Sequence, residues 1–128
     1  MAVKIAIADD NASIRKVLRT FIEAQTNWQV CGEADNGEAA ILLVQRLKPD
    51  VLVLDLSMPG MKGFDAARKI AIISPNTRIV LFTVHASDRV LKEAKGLGIR
   101  AVVSKDADFT LQRLLVALDE PNDTLRAA

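Results

Sequence analysis

The chain has one cysteine, one histidine and no tyrosine in 128 residues, and aromatic residues make up only 4% of it. A lone cysteine, Cys31, has no internal disulfide partner, and with no signal peptide evident it fits a reducing cytosol. With a single histidine, His85, and a single cysteine there is no soft-ligand cluster for zinc. No apolar run approaches the roughly 20 residues that a membrane helix needs. The apolar opening Met1 to Ala8 is stopped at once by Asp9 and Asp10, with no small-residue cleavage site after it, so it does not read as a leader. Charge is balanced, with 17 Lys and Arg against 16 Asp and Glu, a net of +1. That balance gives no electrostatic case for direct nucleic-acid binding. Glycine-rich phosphate cradles of the GxGxxG or GxxxxGK kind are absent too.

What is present is an alternation, repeated five times, of short apolar runs and amphipathic stretches. The strands are expected at Val3 to Ala8, Trp28 to Ala34, Val51 to Leu54, Arg78 to Phe82 and Ala101 to Val103. The first helix carries Ile14, Val17, Leu18, Phe21 and Ile22 on one face and is capped by Asn11 or Ser13. Glu38 to Leu47 forms a second, with Ala40, Leu43, Val44 and Leu47 inward, stopped by Lys48-Pro49. Phe64 to Ile73 is a third. Asp88 to Leu97 is a fourth, capped by Ser87 and closed at Gly98. The last follows Asp108, with Leu111, Leu114, Leu115 and Leu118 in helical spacing. Trp28 is expected at a sheet edge, Cys31 as a small core hydrophobe, and Arg15, Lys16 and Arg19 as a solvated face. Residues 1–120 form one domain and 121–128 a polar tail or the start of a linker.

Strands alternating with helices give a parallel α/β sheet with right-handed crossovers. Ligands of such sheets bind beyond the carboxyl ends of the strands. Asp9 and Asp10 end the first strand, Asp55 the third, Thr83 the fourth and Lys105 the fifth, so all five are expected on one rim. Taken singly, each has a plainer reading: Asp9-Asp10 a helix cap, the Asp55 loop a turn, Lys105 a solvated lysine, Thr83 a turn residue. Taken together, three carboxylates and an ammonium group suit a hard divalent cation, magnesium, with oxygen ligands. A carboxylate beside such an ion can act as nucleophile toward phosphorus. Asp55 is the best acceptor, since it ends the buried strand and the loop from Ser57 to Gly63 leaves open space above it.

These residues resemble the receiver family of two-component signalling: Asp9-Asp10, Asp55 within Leu54-Asp55-Leu56-Ser57-Met58-Pro59-Gly60-Met61-Lys62-Gly63, Thr83, and Ser104-Lys105. The resemblance spans Val3 to about Leu118. It implies a flavodoxin-like three-layer sandwich, strand order 2-1-3-4-5, with five helices, a fold that general rules for such sheets already illustrate with a receiver. It implies magnesium held by the side chains of Asp10 and Asp55 and the carbonyl of Ser57, with Asp9 acting mainly through water. It implies phosphoryl transfer to Asp55 from a sensor histidine kinase or phosphotransfer protein, assisted by Thr83 and Lys105, in the cytoplasm. It leaves room for homodimerisation on phosphorylation, and for DNA control only through an effector region outside these residues. The ending Lys105-Asp106-Ala107 is similar to receivers of the NarL/FixJ type. Val102 stands where the family has a switch aromatic, so readout is expected through the loop after Thr83 or through rearrangement of helix faces. Ser57 and His85 are expected to modulate phosphate lifetime. Two other functions stay open at this point: an aspartate-nucleophile magnesium phosphatase, and a phosphorylation-independent binding module on the same fold.

Overall fold

The structure is a computed structural model that describes residues 3–25, 27–60, 62–84, 86–99, 101–105 and 110–119. Its strands are β1 (Val3–Ala8), β2 (Trp28–Ala34), β3 (Val51–Leu54), β4 (Arg78–Thr83) and β5 (Ala101–Ser104). Its helices are α1 (Ala12–Glu23), α2 (Gly37–Leu47), α3 (Gly63–Ile73), α4 (Asp88–Gly96) and α5 (Thr110–Asp119). All strand pairs are parallel, in the order β2-β1-β3-β4-β5. This is the expected flavodoxin-like sandwich, and the boundaries agree with the sequence reading to within a residue or so.

Three of the helices begin at side-chain caps. Asn11, rather than Ser13, caps α1, its side chain accepting from the Ile14 N–H, while Asn36 and Ser87 cap α2 and α4 in the same way. Each cap satisfies one of the orphan donors of a first turn. Lys48 ends α2 in the left-handed conformation at φ 46°, directly before Pro49. The proposed cap at Asp108 lies outside the described residues, as do Asp106, Ala107 and the tail from 120 onward.

The sheet is covered on both faces. Ile5, Ile7, Val30, Val51, Val53, Val80 and Val103 face Leu18 and Ile22 of α1 and Leu114, Ala117 and Leu118 of α5. Ala6, Ala8, Leu52, Leu54 and Leu81 face Ala40 and Val44 of α2, Ala67 and Ile70 of α3, and Ala94 of α4. Full burial of each large aliphatic side chain contributes roughly 1.5–3 kcal/mol. Two expected core positions are corrected: Val17 is 51% exposed and Leu47 is 38% exposed. Both sit at the margin of an apolar stripe wider than the contact its helix makes.

The edge strand β2 holds a bulge. Ile5 pairs with Val30 but Ala6 pairs with Gly32, so Cys31 is the extra residue. The bulge inverts the side-chain alternation: Val30 and Ala34, both even-numbered, lie on opposite faces of the sheet. Trp28 packs at this edge as expected. Cys31 is only half-buried against the α2 side, not a full core residue, and burial raises its thiol pKa.

Candidate functional site at the carboxyl rim of the sheet

Backbone hydrogen bonds carry the sheet one residue past its strands on this rim. The N–H of Asp9 donates to Ala34 O (3.0 Å), that of Asp55 to Ala8 O (2.9 Å) and that of Lys105 to Thr83 O (2.9 Å). Asp9, Asp55 and Lys105 are thereby held at fixed heights by neighbouring strands. In register, Thr83 lies beside Ser104, the residue before Lys105. Four of the five rim residues inferred from sequence are thus tied into one ladder edge, and Asp10 follows Asp9 at the same end.

Asp9 and Asp55 are built alike. One carboxylate oxygen of each accepts the backbone N–H two residues on: Asp9 Oδ1 from Asn11 (2.9 Å) and Asp55 Oδ1 from Ser57 (3.1 Å). Such Asx turns fix the orientation of a short acidic side chain. The other oxygen of each faces Lys105, whose Nζ lies 2.6 Å from Asp9 Oδ2 and 3.3 Å from Asp55 Oδ2. The Lys105 stem passes Phe82, with Nζ 5.4 Å from the ring centroid, a distance at which the ring face favours the cation.

Burial sets the electrostatics. Asp9 is 2% and Asp55 3% exposed, Thr83 is fully buried, and Asp10 is exposed. Desolvation pushes the Asp55 carboxyl above the ordinary carboxylate range. The Ser57 N–H and Lys105 oppose this, and the charge on Asp9 adds to it. Carboxylate oxygens of Asp9, Asp10 and Asp55 all lie within 4.8 Å of one another. Three clustered carboxylates with one ammonium group, shared by Asp9 and Asp55, leave about two negative charges unbalanced, and the donors are all oxygen. A hard divalent cation fits that donor set. The cluster could therefore hold a metal ion.

Of the modulating positions, Ser57 is exposed above Asp55, and Val102 is half-buried against the α2–α4 side, paired with Leu81. His85 lies outside the described residues.

One participant escaped the sequence reading. Arg15 is not part of a solvated face: its side chain is 18% exposed and its Nη1 donates to the backbone carbonyl of Asp9 at 2.6 Å. Its Nε donates to Glu33 Oε1 at 3.0 Å, and Arg19 Nε donates to Glu33 Oε2 at 2.7 Å. Arg19, with Arg15 second, holds the Glu33 carboxyl below its usual range, against the opposing effect of burial. The available signal was the weak alternation of Trp28 to Ala34, which marks the bulge that turns Glu33 toward α1.

Comparison with known proteins agrees with this geometry. The response regulator receiver domain profile matches residues 5–119. The chain is 36% identical over 126 residues to the uncharacterized transcriptional regulatory protein YxjL of Bacillus subtilis, covering 98% of this chain and 54% of that one. It is 32% identical to the chemotaxis protein CheY of Thermotoga maritima, over 94% of this chain and 98% of that one. A LuxR-family two-component response regulator from Aurantimonas sp. SI85-9A1 superposes with a TM-score of 0.85 at 30% identity, covering 92% of this chain and 83% of that one. The chain spans about half the length of several curated relatives that it matches. No helix among the described residues is long and apolar enough to cross a membrane. A buried aspartate pair bridged by a lysine at the carboxyl rim of a 2-1-3-4-5 sheet, matched along nearly its whole length, makes this chain a member of the response regulator receiver domain family, a domain of two-component signalling.

Proposed function

We propose that the chain is phosphorylated on Asp55 by a phosphohistidine of a sensor histidine kinase or phosphotransfer protein, in the cytoplasm, with magnesium as cofactor. The observation that supports this most is the shared Lys105 contact. It places a buried carboxylate, held by the Ser57 N–H, at the open end of β3 beside a second acid and a fixed positive charge. Asp10, Asp55 and the Ser57 carbonyl would hold the magnesium, with Asp9 acting through water. When bound, the ion neutralises charge on the phosphoryl oxygens and on the acids.

The chain's own residues do the rest. An Asp55 carboxylate oxygen attacks phosphorus as the P–N bond of the donor breaks. The ring nitrogen departs with the P–N electron pair, and with its other nitrogen protonated the donor leaves as a neutral imidazole. Lys105, now facing Asp9 and Asp55, turns part of its charge to a phosphoryl oxygen, and the Thr83 hydroxyl supplies a second donor from the end of β4. The gain of negative charge is what switches the domain. With Val102 in place of an aromatic, the signal passes through the β4–α4 loop or through the helix faces. Ser57 and His85 tune how long the phosphoryl group survives.

Position 57 carries serine where an aspartate-nucleophile phosphatase would hold a second acid. Catalysis is confined to the domain's own phosphorylation and dephosphorylation. The output, transcription through a DNA-binding region outside these residues, is proposed from the longer transcriptional regulatory proteins that the chain matches.

Intact-mass analysis after incubation with magnesium and acetyl phosphate tests the reading. One added phosphoryl group, lost in Asp55→Asn, is the expected result. No adduct in the wild type would favour a phosphorylation-independent binding module, and rapid turnover of unrelated phosphate esters would favour a hydrolase.

A further inference from the structure

We propose that Arg15 is a positioning residue for the acidic pocket, and that Glu33, turned to the α1 side by the bulge at Cys31, orients it. This rests on the reading of Asp9, Asp10 and Asp55 as the magnesium pocket. Asp9 and Asp10 lie between the last residue of β1 and the cap of α1, a junction too short for regular structure of its own. The side chain of Asp9 is fixed by the Asn11 N–H and by Lys105, and neither of those contacts engages its backbone carbonyl. The Asp9 carbonyl belongs to the peptide bond that links Asp9 to Asp10, so the direction of its oxygen sets the plane from which the Asp10 backbone starts. Arg15 Nη1 donates to that carbonyl at 2.6 Å and therefore sets the plane.

The guanidinium can do this because its own direction is fixed. Nε is engaged by Glu33 Oε1 at 3.0 Å, which leaves Nη1 aimed at the junction. A planar fork can serve a carboxylate and a carbonyl at once in defined directions; an ammonium group is a point charge and cannot fix both. Glu33 reaches α1 only through the bulge. Trp28 and Val30 pack on the α1 side, so a regular strand would send the odd-numbered Glu33 to the α2 side. With Cys31 inserted, Gly32 instead faces Leu43 and Leu47 of α2, and Glu33 faces Arg15 and Arg19. Bulges commonly re-aim one side chain near a site in this manner. Arg19 shares Glu33 but has no contact with Asp9 among those described, which makes it an internal control.

Magnesium affinity by titration calorimetry and thermal unfolding separate positioning from simple stabilisation. Arg15→Lys is expected to weaken magnesium binding by about tenfold, in the range seen when a group that orients metal ligands is lost. Arg19→Gln, which breaks ion pairs of the same network, should stay within about twofold of the wild type. Arg15→Lys binding magnesium like the wild type would overturn the proposal, as would equal weakening in both variants that follows their loss of melting temperature. Wild-type protein that binds magnesium but gains no phosphoryl group from acetyl phosphate would refute the phosphoacceptor reading and leave the positioning result standing. Wild-type protein that binds no magnesium would overturn both.

Discussion

Replacing Lys105 with methionine keeps the aliphatic stem beside Phe82 but removes the ammonium group shared by Asp9 and Asp55 at 2.6 and 3.3 Å. Both carboxylates are almost fully buried, so the variant is left with two desolvated acids and no lysine between them. Removing one partner of a buried pair costs about 3–5 kcal/mol. Lys105 keeps 12% of its side-chain surface exposed, and a proton can partly replace its charge, so the lower end applies, about 3 kcal/mol at pH 7. At a urea slope of about 2 kcal/mol/M this is a midpoint shift of roughly 1.5 M. The loss must depend on pH. Burial already raises the Asp55 carboxyl above its usual range, and Lys105 is among the groups that hold it down. Without the lysine it rises further, so the deficit is full above that raised value and shrinks as pH falls through it and the acid takes up a proton. Urea unfolding without magnesium at a series of pH values from 7 downward measures both. A loss below about 1 kcal/mol at pH 7, the size of an exposed ion pair, would refute the reasoning. So would a gap that does not change with pH.

Four further outcomes follow from single positions. Asp55→Asn should raise the melting temperature at pH 7 without magnesium, because burial disfavours the charge it removes. A raised carboxyl binds more protons folded than unfolded, so wild-type stability falls as pH climbs through the window above the ordinary carboxylate value, and the advantage of Asp55→Asn should fade toward acid. Glu33→Gln should show the opposite sign: the Glu33 pKa is lowered, so its contribution is present above the ordinary glutamate value and vanishes as pH falls through the folded one, which paired acid titrations of stability would detect. Gly63→Ala should cost about 2 kcal/mol, since a Cβ there would lie 2.6 Å from Leu56 Cα and 3.0 Å from Leu56 O, backbone atoms in the loop after Asp55. Gly96→Ala at the open end of α4 should instead gain about 0.5–1 kcal/mol, and chemical denaturation of the pair checks both signs.

The strand ends were legible because each buried strand is a short apolar run closed by a polar residue: Leu54 by Asp55, Ala8 by Asp9. Parallel order then placed Asp9, Asp55, Thr83 and Lys105 on one rim without any knowledge of contacts. What the sequence did not reveal depends on one inserted residue. The bulge at Cys31 reverses which side Glu33 faces, and with it Arg15 changes from a surface charge to a ligand of the Asp9 carbonyl. Period-based reasoning assumes unbroken alternation, so Trp28 to Ala34 read only as a weak strand. Val17 and Leu47 were misplaced for a different reason: helical spacing defines a stripe, but the width of the opposing sheet decides how much of it is covered.

The central claim concerns one atom group, the Asp55 carboxylate, and borohydride reduction tests it most directly. The protein is treated with magnesium and acetyl phosphate, reduced with borohydride and sequenced by tandem mass spectrometry, since an acyl phosphate is reduced to an alcohol while a free carboxylate is untouched. Homoserine at position 55 alone is the predicted result. Homoserine at Asp9 or Asp10, or none anywhere in a protein that binds magnesium, would contradict it.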